Sequence, residues 1–169
     1  MSQKITIYTD GAARGNPGPG GYGIVMKQGD YRKTFSAGYR FTTNNRMELL
    51  GVIVALEKLR IPETSATVYT DSRYVSDSIE KGWLFDWEKK GFKKKKNPDL
   101  WRRFLKVYRK HNVKFVWVKG HANIPENETC DKLAVDASYE SNLKEDKGYT
   151  KISERIEPTA NPADSLRHE

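Results

Sequence analysis

Before any helical period sets in, the chain offers three runs of strand-forming residues, and that order narrows the possible folds more than any other feature. The stretch Ile5-Thr6-Ile7-Tyr8-Thr9-Asp10-Gly11 alternates β-branched and aromatic side chains between two faces, the period-2 signature of a strand. Residues 22–27 and 31–41 repeat that signature and are joined by Gln28-Gly29-Asp30, which predicts a hairpin. Three antiparallel strands are therefore expected to open the domain. The first should end at Asp10 and turn sharply into a glycine-rich loop over 11–21. No helical pattern follows that loop, so it is not a dinucleotide-binding turn. An acid at the carboxyl end of a strand lies where α/β domains gather their ligands, although an aspartate that opens a turn also has a purely local use.

The remainder alternates helix and strand. Leu49, Val52, Ile53, Leu56 and Leu59 form one apolar stripe, widened by Met47, Leu50 and Val54, so a buried helix is expected, stopped by Pro62. Asn45 would cap it, with Glu48 in a capping-box relation. A fourth strand over 66–70 leads into Asp71 and a helix over 72–80, where Asp71 has a local use as the cap. A helix over 98–110, a fifth strand over 113–119 and a polar loop over 120–128 follow. The last core helix carries Cys130, Leu133, Ala134 and Ala137, with Asp131 in its first turn beside the positive end of the helix dipole.

A chain of 169 residues fits one domain, expected over 1–140, with a charged tail over 141–169 that shows no sustained period. A single cysteine excludes an internal disulfide and a multi-cysteine zinc site, no long apolar run is present, and no secretory signal is expected. A cytoplasmic monomer without membrane attachment or small organic cofactor is the expectation. The formal net charge of +8 asks for an acidic partner if the charge is clustered. It is clustered in a basic protrusion at about 81–97, where Lys89, Lys90, Lys93, Lys94, Lys95 and Lys96 crowd next to Trp83, Trp87 and Phe92. Charge beside large rings suits a surface that grips phosphates.

Asp10, Glu48, Asp71 and Asp131 each have a local use, but one sheet edge can bring all four together. Carboxylates that close repel and raise one another's pKa unless a cation intervenes. Oxygen-only ligands favour magnesium or manganese over zinc, and two such ions roughly 4 Å apart form a clamp for in-line phosphodiester displacement.

These residues sit in blocks that resemble bacterial type I ribonuclease H: Tyr8-Thr9-Asp10-Gly11 with Asn16-Pro17-Gly18, then Thr42-Thr43-Asn44-Asn45-Arg46-Met47-Glu48-Leu49, then Tyr69-Thr70-Asp71-Ser72, and Val116-Trp117-Val118-Lys119-Gly120-His121 running into Asn127-Glu128 and Cys130-Asp131. The resemblance covers residues 3 to 140 or so. It implies an α/β ribonuclease H-like fold, a five-stranded mixed sheet with helices on both faces, and hydrolysis of the RNA strand of an RNA/DNA hybrid to 5′-phosphate and 3′-hydroxyl ends. It further implies that Asp10 bridges two Mg2+ ions, with Mn2+ as a substitute, that Asp71 and Asp131 complete their shells, and that Glu48 holds one ion and positions the RNA 2′-hydroxyl. His121 would assist proton transfer or product release. Asn16, Asn44 and Asn45 would read the wide minor groove, Arg40, Thr43 and the lysines would hold phosphates of the DNA strand, and Trp83, Trp87 and Asn127 would complete the substrate contacts. The alternatives are a DNA nuclease of the same fold and a non-catalytic hybrid-binding module.

Overall fold

The computed structural model describes residues 4–120 and 122–150. Its elements run β1 (Lys4–Ala13), β2 (Gly18–Gln28), β3 (Tyr31–Thr42), α1 (Asn44–Glu57), β4 (Ser65–Thr70), α2 (Arg73–Glu80), α3 (Trp83–Lys89), α4 (Pro98–Tyr108), β5 (Asn112–Trp117) and α5 (Pro125–Ser138). The five strands make one mixed sheet in the order β3-β2-β1-β4-β5. The first three are antiparallel, and β4 and β5 are added parallel to β1. The expected sheet is thus present, with β1 at its centre. Only α3 is not announced by the sequence: seven residues behind a left-handed Gly82 carry too little period to mark a helix.

Two expectations about the glycine-rich run are corrected. β1 does not end at Asp10 but continues to Ala13, and Gly18 already belongs to β2, so only residues 14–17 form the turn, which contains a cis Asn16–Pro17 peptide. The glycines are there for close packing. Asp10 pairs with Gly23 and Gly11 with Tyr22, so alternation sends Asp10 and Gly23 to one face and Gly11 and Tyr22 to the other. A Cβ on Gly11 would lie 2.3 Å from the backbone nitrogen of Glu48 in α1, and one on Gly23 would lie 2.2 Å from the carbonyl oxygen of Cys130 in α5. Missing side chains therefore let α1 press on one face and α5 on the other, which brings Glu48 and Asp131 down to the level of Asp10.

The core lies mainly on the α1 side, where Met47, Leu49, Val52, Ile53 and Leu56 meet Ile7, Ile24 and Val68 of the sheet and Trp101 and Phe104 of α4. Arg46, on the first turn of α1, is buried with them. Its guanidinium donates to Asp146 (2.7 and 2.8 Å), to Asp99 (3.0 and 2.8 Å) and to Asn97 (3.2 Å). Asp146 also accepts from the Thr42 hydroxyl at 2.7 Å. The compact unit consequently reaches beyond residue 140: Lys144 bridges Tyr39, and Tyr149 is buried against Phe41, ring centroids 5.4 Å apart. The rest of the expected tail, residues 151–169, lies outside the described residues. Among the described residues no helix is long and apolar enough to cross a membrane.

Candidate active site

The last parallel pair between β1 and β4 is Tyr8 with Tyr69, whereas β1 stays paired with β2 up to Ala13. The sheet therefore forks beyond Tyr8. Asp10 lies in the fork on the β1 branch, and Asp71 directly follows β4 on the other. Such a split at the carboxyl ends of parallel strands is where α/β sheets leave a crevice.

The local uses that the sequence allowed for the other acids fall away. The cap of α1 is Thr43, whose hydroxyl accepts from the Arg46 N–H at 3.2 Å, so Asn45 is inside the helix and Glu48 is in its second turn, not in a capping box. The cap of α2 is Ser72, which accepts from the Val75 N–H at 3.2 Å and leaves Asp71 uninvolved in capping. α5 starts at Pro125, so Asp131 is in its second turn; Glu126 and Glu128 occupy the first, where the dipole favours acids.

What unites these acids is a cleft of about 590 Å³ lined by Asp10, Glu48, Asp71 and Asp131, with Asn44, Asn45 and Asn127 among its walls. Ligating oxygens of Asp10, Glu48 and Asp71 lie within 4.8 Å of one another. Burial pushes the Asp10 carboxyl up to about 7; the charges of Asp71 and Asp131 add to the rise, and hydrogen bonds from Glu48 and from the Gly11 N–H, at 2.9 Å, oppose it. Glu48 is driven well above the carboxylate range, by burial first and then by Asp10. Glu48 Oε2 is buried without a hydrogen-bond partner, and so is Asn127 Oδ1 on the α5 wall. A buried carboxylate oxygen left bare beside two further carboxylates is a poor arrangement for a protein alone and a good one for a hard divalent cation.

A pH dependence follows from the raised pKa values. Between pH 4 and 7 the unfolded chain releases the protons that Asp10 and Glu48 retain when folded, so their contribution favours folding at pH 4 and is lost as pH rises through the folded values. In EDTA, the Asp10→Asn variant should accordingly gain thermal stability over wild type as pH is raised from 4.5 to 7.5, and magnesium should restore the wild type more at the upper end. A melting-temperature difference that stays constant across the range would contradict this.

The residues expected to bind substrate fall into groups. Asn16 and Asn44 are exposed on the rim, with the Asn44 N–H donating to Asn16 Oδ1 at 2.9 Å and the Ala13 N–H donating to Asn44 Oδ1, so together they fasten the β1–β2 turn to the start of α1. Asn45 is half-buried in the cleft wall. Thr43 is fully buried, and its hydroxyl caps α1. Arg40 is exposed, and its guanidinium donates to the Leu143 carbonyl at 3.4 Å. The protrusion forms a separate groove lined by Trp83, Asp86, Trp87, Lys90, Lys93 and Lys95. Trp83 is 45 % exposed, whereas Trp87 packs edge-on against Trp101 at 5.9 Å and carries Lys95 Nζ 5.2 Å above its ring. Lys89 and Lys94 are exposed and Lys96 is half-buried. His121 lies outside the described residues.

Arg73 also lines the acid cleft, where the sequence alone does not place it. Its signal in the sequence is an arginine at the first position of a helix, where the dipole disfavours a cation, two residues after Asp71.

Comparison with known proteins agrees with this geometry. The RNase H family model matches residues 2–139. Ribonuclease H of Desulforamulus reducens is 57% identical over 146 residues, covering 83% of this chain and 91% of that protein. Ribonuclease HI of Synechocystis sp. is 51% identical over 156 residues, covering 88% and 96%. Among solved structures, LC9-RNase H1, a type 1 RNase H with the type 2 active-site motif, superposes with a TM-score of 0.74 at 28% identity over 100% of this chain and 87% of its own. LC11-RNase H1, solved in complex with an RNA/DNA hybrid, gives 0.59 at 28% identity over 79% and 98%. Sheet order, acid placement and the match over residues 2–139 lead to one conclusion: this chain belongs to the ribonuclease H family.

Proposed function

We infer that this chain is an endoribonuclease that hydrolyses the RNA strand of RNA/DNA hybrids. The observation that carries the reading is the set of acids in the fork of the sheet, with ligating oxygens of Asp10, Glu48 and Asp71 within 4.8 Å and Asp131 in the same cleft wall. Those carboxylates suit two magnesium ions, with manganese as a substitute. When bound, such ions supply a water nucleophile at neutral pH and neutralise the charge that develops on phosphate and leaving oxygen, which yields 5′-phosphate and 3′-hydroxyl ends.

The chain's own residues prepare that chemistry. Asp10 faces the other acids from the central strand, fixed by the Gly11 N–H. Glu48 brings an unpartnered oxygen into the cleft, suited to an ion and to the RNA 2′-hydroxyl. Asn16, Asn44 and Asn45 present amide groups at the rim, where a wide minor groove is read by shape and 2′-hydroxyls with little sequence preference. His121 serves proton movement near neutral pH. The lysines of the protrusion hold DNA-strand phosphates at a distance from the acids. The single Cys130 is buried and free, in keeping with a monomer acting in the reducing cytoplasm.

Two measurements test this reading. End-group analysis of cleaved hybrid should give 5′-phosphates; 2′,3′-cyclic phosphates would instead mean that the RNA 2′-hydroxyl attacks and the water-based scheme fails. Replacing Lys93, Lys94, Lys95 and Lys96 together by alanine should weaken hybrid binding and flatten its salt dependence by up to about 0.9 for each phosphate no longer neutralised. An unchanged slope would assign those lysines to solvent alone.

A further inference from the structure

We propose that Arg73 is a substrate-binding residue that clamps a phosphate of the RNA strand next to the one being cleaved, with its guanidinium held flat on the indole of Trp117. The proposal deepens the hybrid-cleavage reading and rests on it.

Four observations support the assignment. Arg73 lines the same cleft as the four acids, and it is exposed there. Its Cζ lies 3.7 Å from the centre of the Trp117 ring, a stacking distance that fixes the plane of the guanidinium. The plate beneath it is anchored, because Trp117 Nε1 donates to the backbone carbonyl of Asp71 at 3.0 Å. Among the described residues Arg73 takes part in no ion pair, although Arg46, Arg103 and Arg109 all do.

The local energetics make the placement informative. Arg73 is the first residue of α2, which has no acid in its first turn, so its charge sits at the positive end of the helix dipole and only the acids of the cleft offset it. The chain keeps a cation where its own helix disfavours one. An incoming anion removes that penalty. A planar fork of N–H donors matches two phosphate oxygens at once, which a lysine at this position would not do. The acids beside it act on the RNA strand, so the phosphates within reach of Arg73 are neighbours on that strand. The protrusion's lysines line a different groove. Arg73 therefore sets the register of the RNA backbone relative to the acids, separately from the general grip of the protrusion.

The test is a binding cycle in the Asp10→Asn background, which holds hybrid without cutting it. Hybrids carrying one uncharged methylphosphonate at each RNA linkage around the site are compared with the unmodified duplex in magnesium. Arg73→Gln should weaken binding of the unmodified hybrid about tenfold or more and lower the salt slope by about 0.7 to 0.9. At one RNA linkage the methylphosphonate should weaken binding to the Asp10→Asn protein but add nothing in the Asp10→Asn/Arg73→Gln protein. Arg73→Lys should recover the salt slope and only part of the affinity. If every methylphosphonate penalty at the RNA linkages is the same with and without Arg73, or if a matching set of DNA-strand methylphosphonates shows the coupling instead, the inference is overturned and Arg73 is a packing cation on Trp117. Failure of the wild-type protein to bind or cut any hybrid in magnesium would instead overturn the hybrid reading itself.

Discussion

Replacing Asp10 by asparagine is expected to slow hybrid cleavage by more than about a thousandfold, because the loss of several kcal/mol of charge stabilisation converts at ~1.4 kcal/mol per decade. The substitution is nearly isosteric and leaves the rim asparagines and the protrusion intact, so hybrid affinity should be little changed. The effect should be this large because Glu48, Asp71 and Asp131 all act on the Asp10 carboxyl. Single-turnover cleavage with saturating enzyme separates the two quantities. Turnover near the wild-type rate would remove Asp10 from the chemistry and with it the reading of the cleft. Lost binding with normal single-turnover cleavage would assign Asp10 to substrate grip instead.

The second large effect concerns stability rather than catalysis. Arg46→Ala should destabilise the fold by about 3–5 kcal/mol, the usual penalty for removing one partner of a buried ion pair. Arg46 side-chain exposure is 1% and that of Asp146 is 7%, so the stranded Asp146 carboxylate would have no water to replace its lost donors. Asp99 is 39% exposed and contributes less. Arg46→Met combined with Asp146→Leu should be less destabilising than Arg46→Ala alone, since no charge is left unpaired. Urea unfolding of the three proteins measures this. A penalty below about 1 kcal/mol for Arg46→Ala would mean that the network is hydrated and behaves as a surface cluster. Because Arg46 is two residues before Glu48 on α1, the same network ties the segment around Asp146 to the helix that delivers an active-site acid.

Strands are legible in the sequence for a physical reason, since a half-buried sheet imposes period 2; the acids are legible through the residue blocks that carry them, because only Asp71 stands at the end of an element while Asp10, Glu48 and Asp131 lie inside theirs. Legibility fails where several residues compete for one role. Thr43, Asn44 and Asn45 are all able to cap, and only the fold shows the Thr43 hydroxyl bonded to Arg46. At α5 a polar first turn, Pro125 to Glu128, hides the true start and makes Asp131 look dipole-stabilised when it is not. Gly11, Gly20, Gly21 and the turn between them look like a loop because glycine signals freedom, whereas Gly11 is dictated by the approach of Glu48. Nothing in the sequence signals the burial of Arg46, since its partner Asp146 is 100 residues away in a stretch without period. Arg73 escapes notice because the ring it stacks on, Trp117, is on a distant strand.

This cleft should cut RNA only when that RNA is paired with DNA. The direct measurement is cleavage of strand-labelled RNA/DNA hybrid, duplex RNA and duplex DNA, with magnesium and with EDTA. Cutting of the RNA strand of the hybrid alone, and only with magnesium, is the predicted result; cutting of duplex DNA with the hybrid left whole would contradict it.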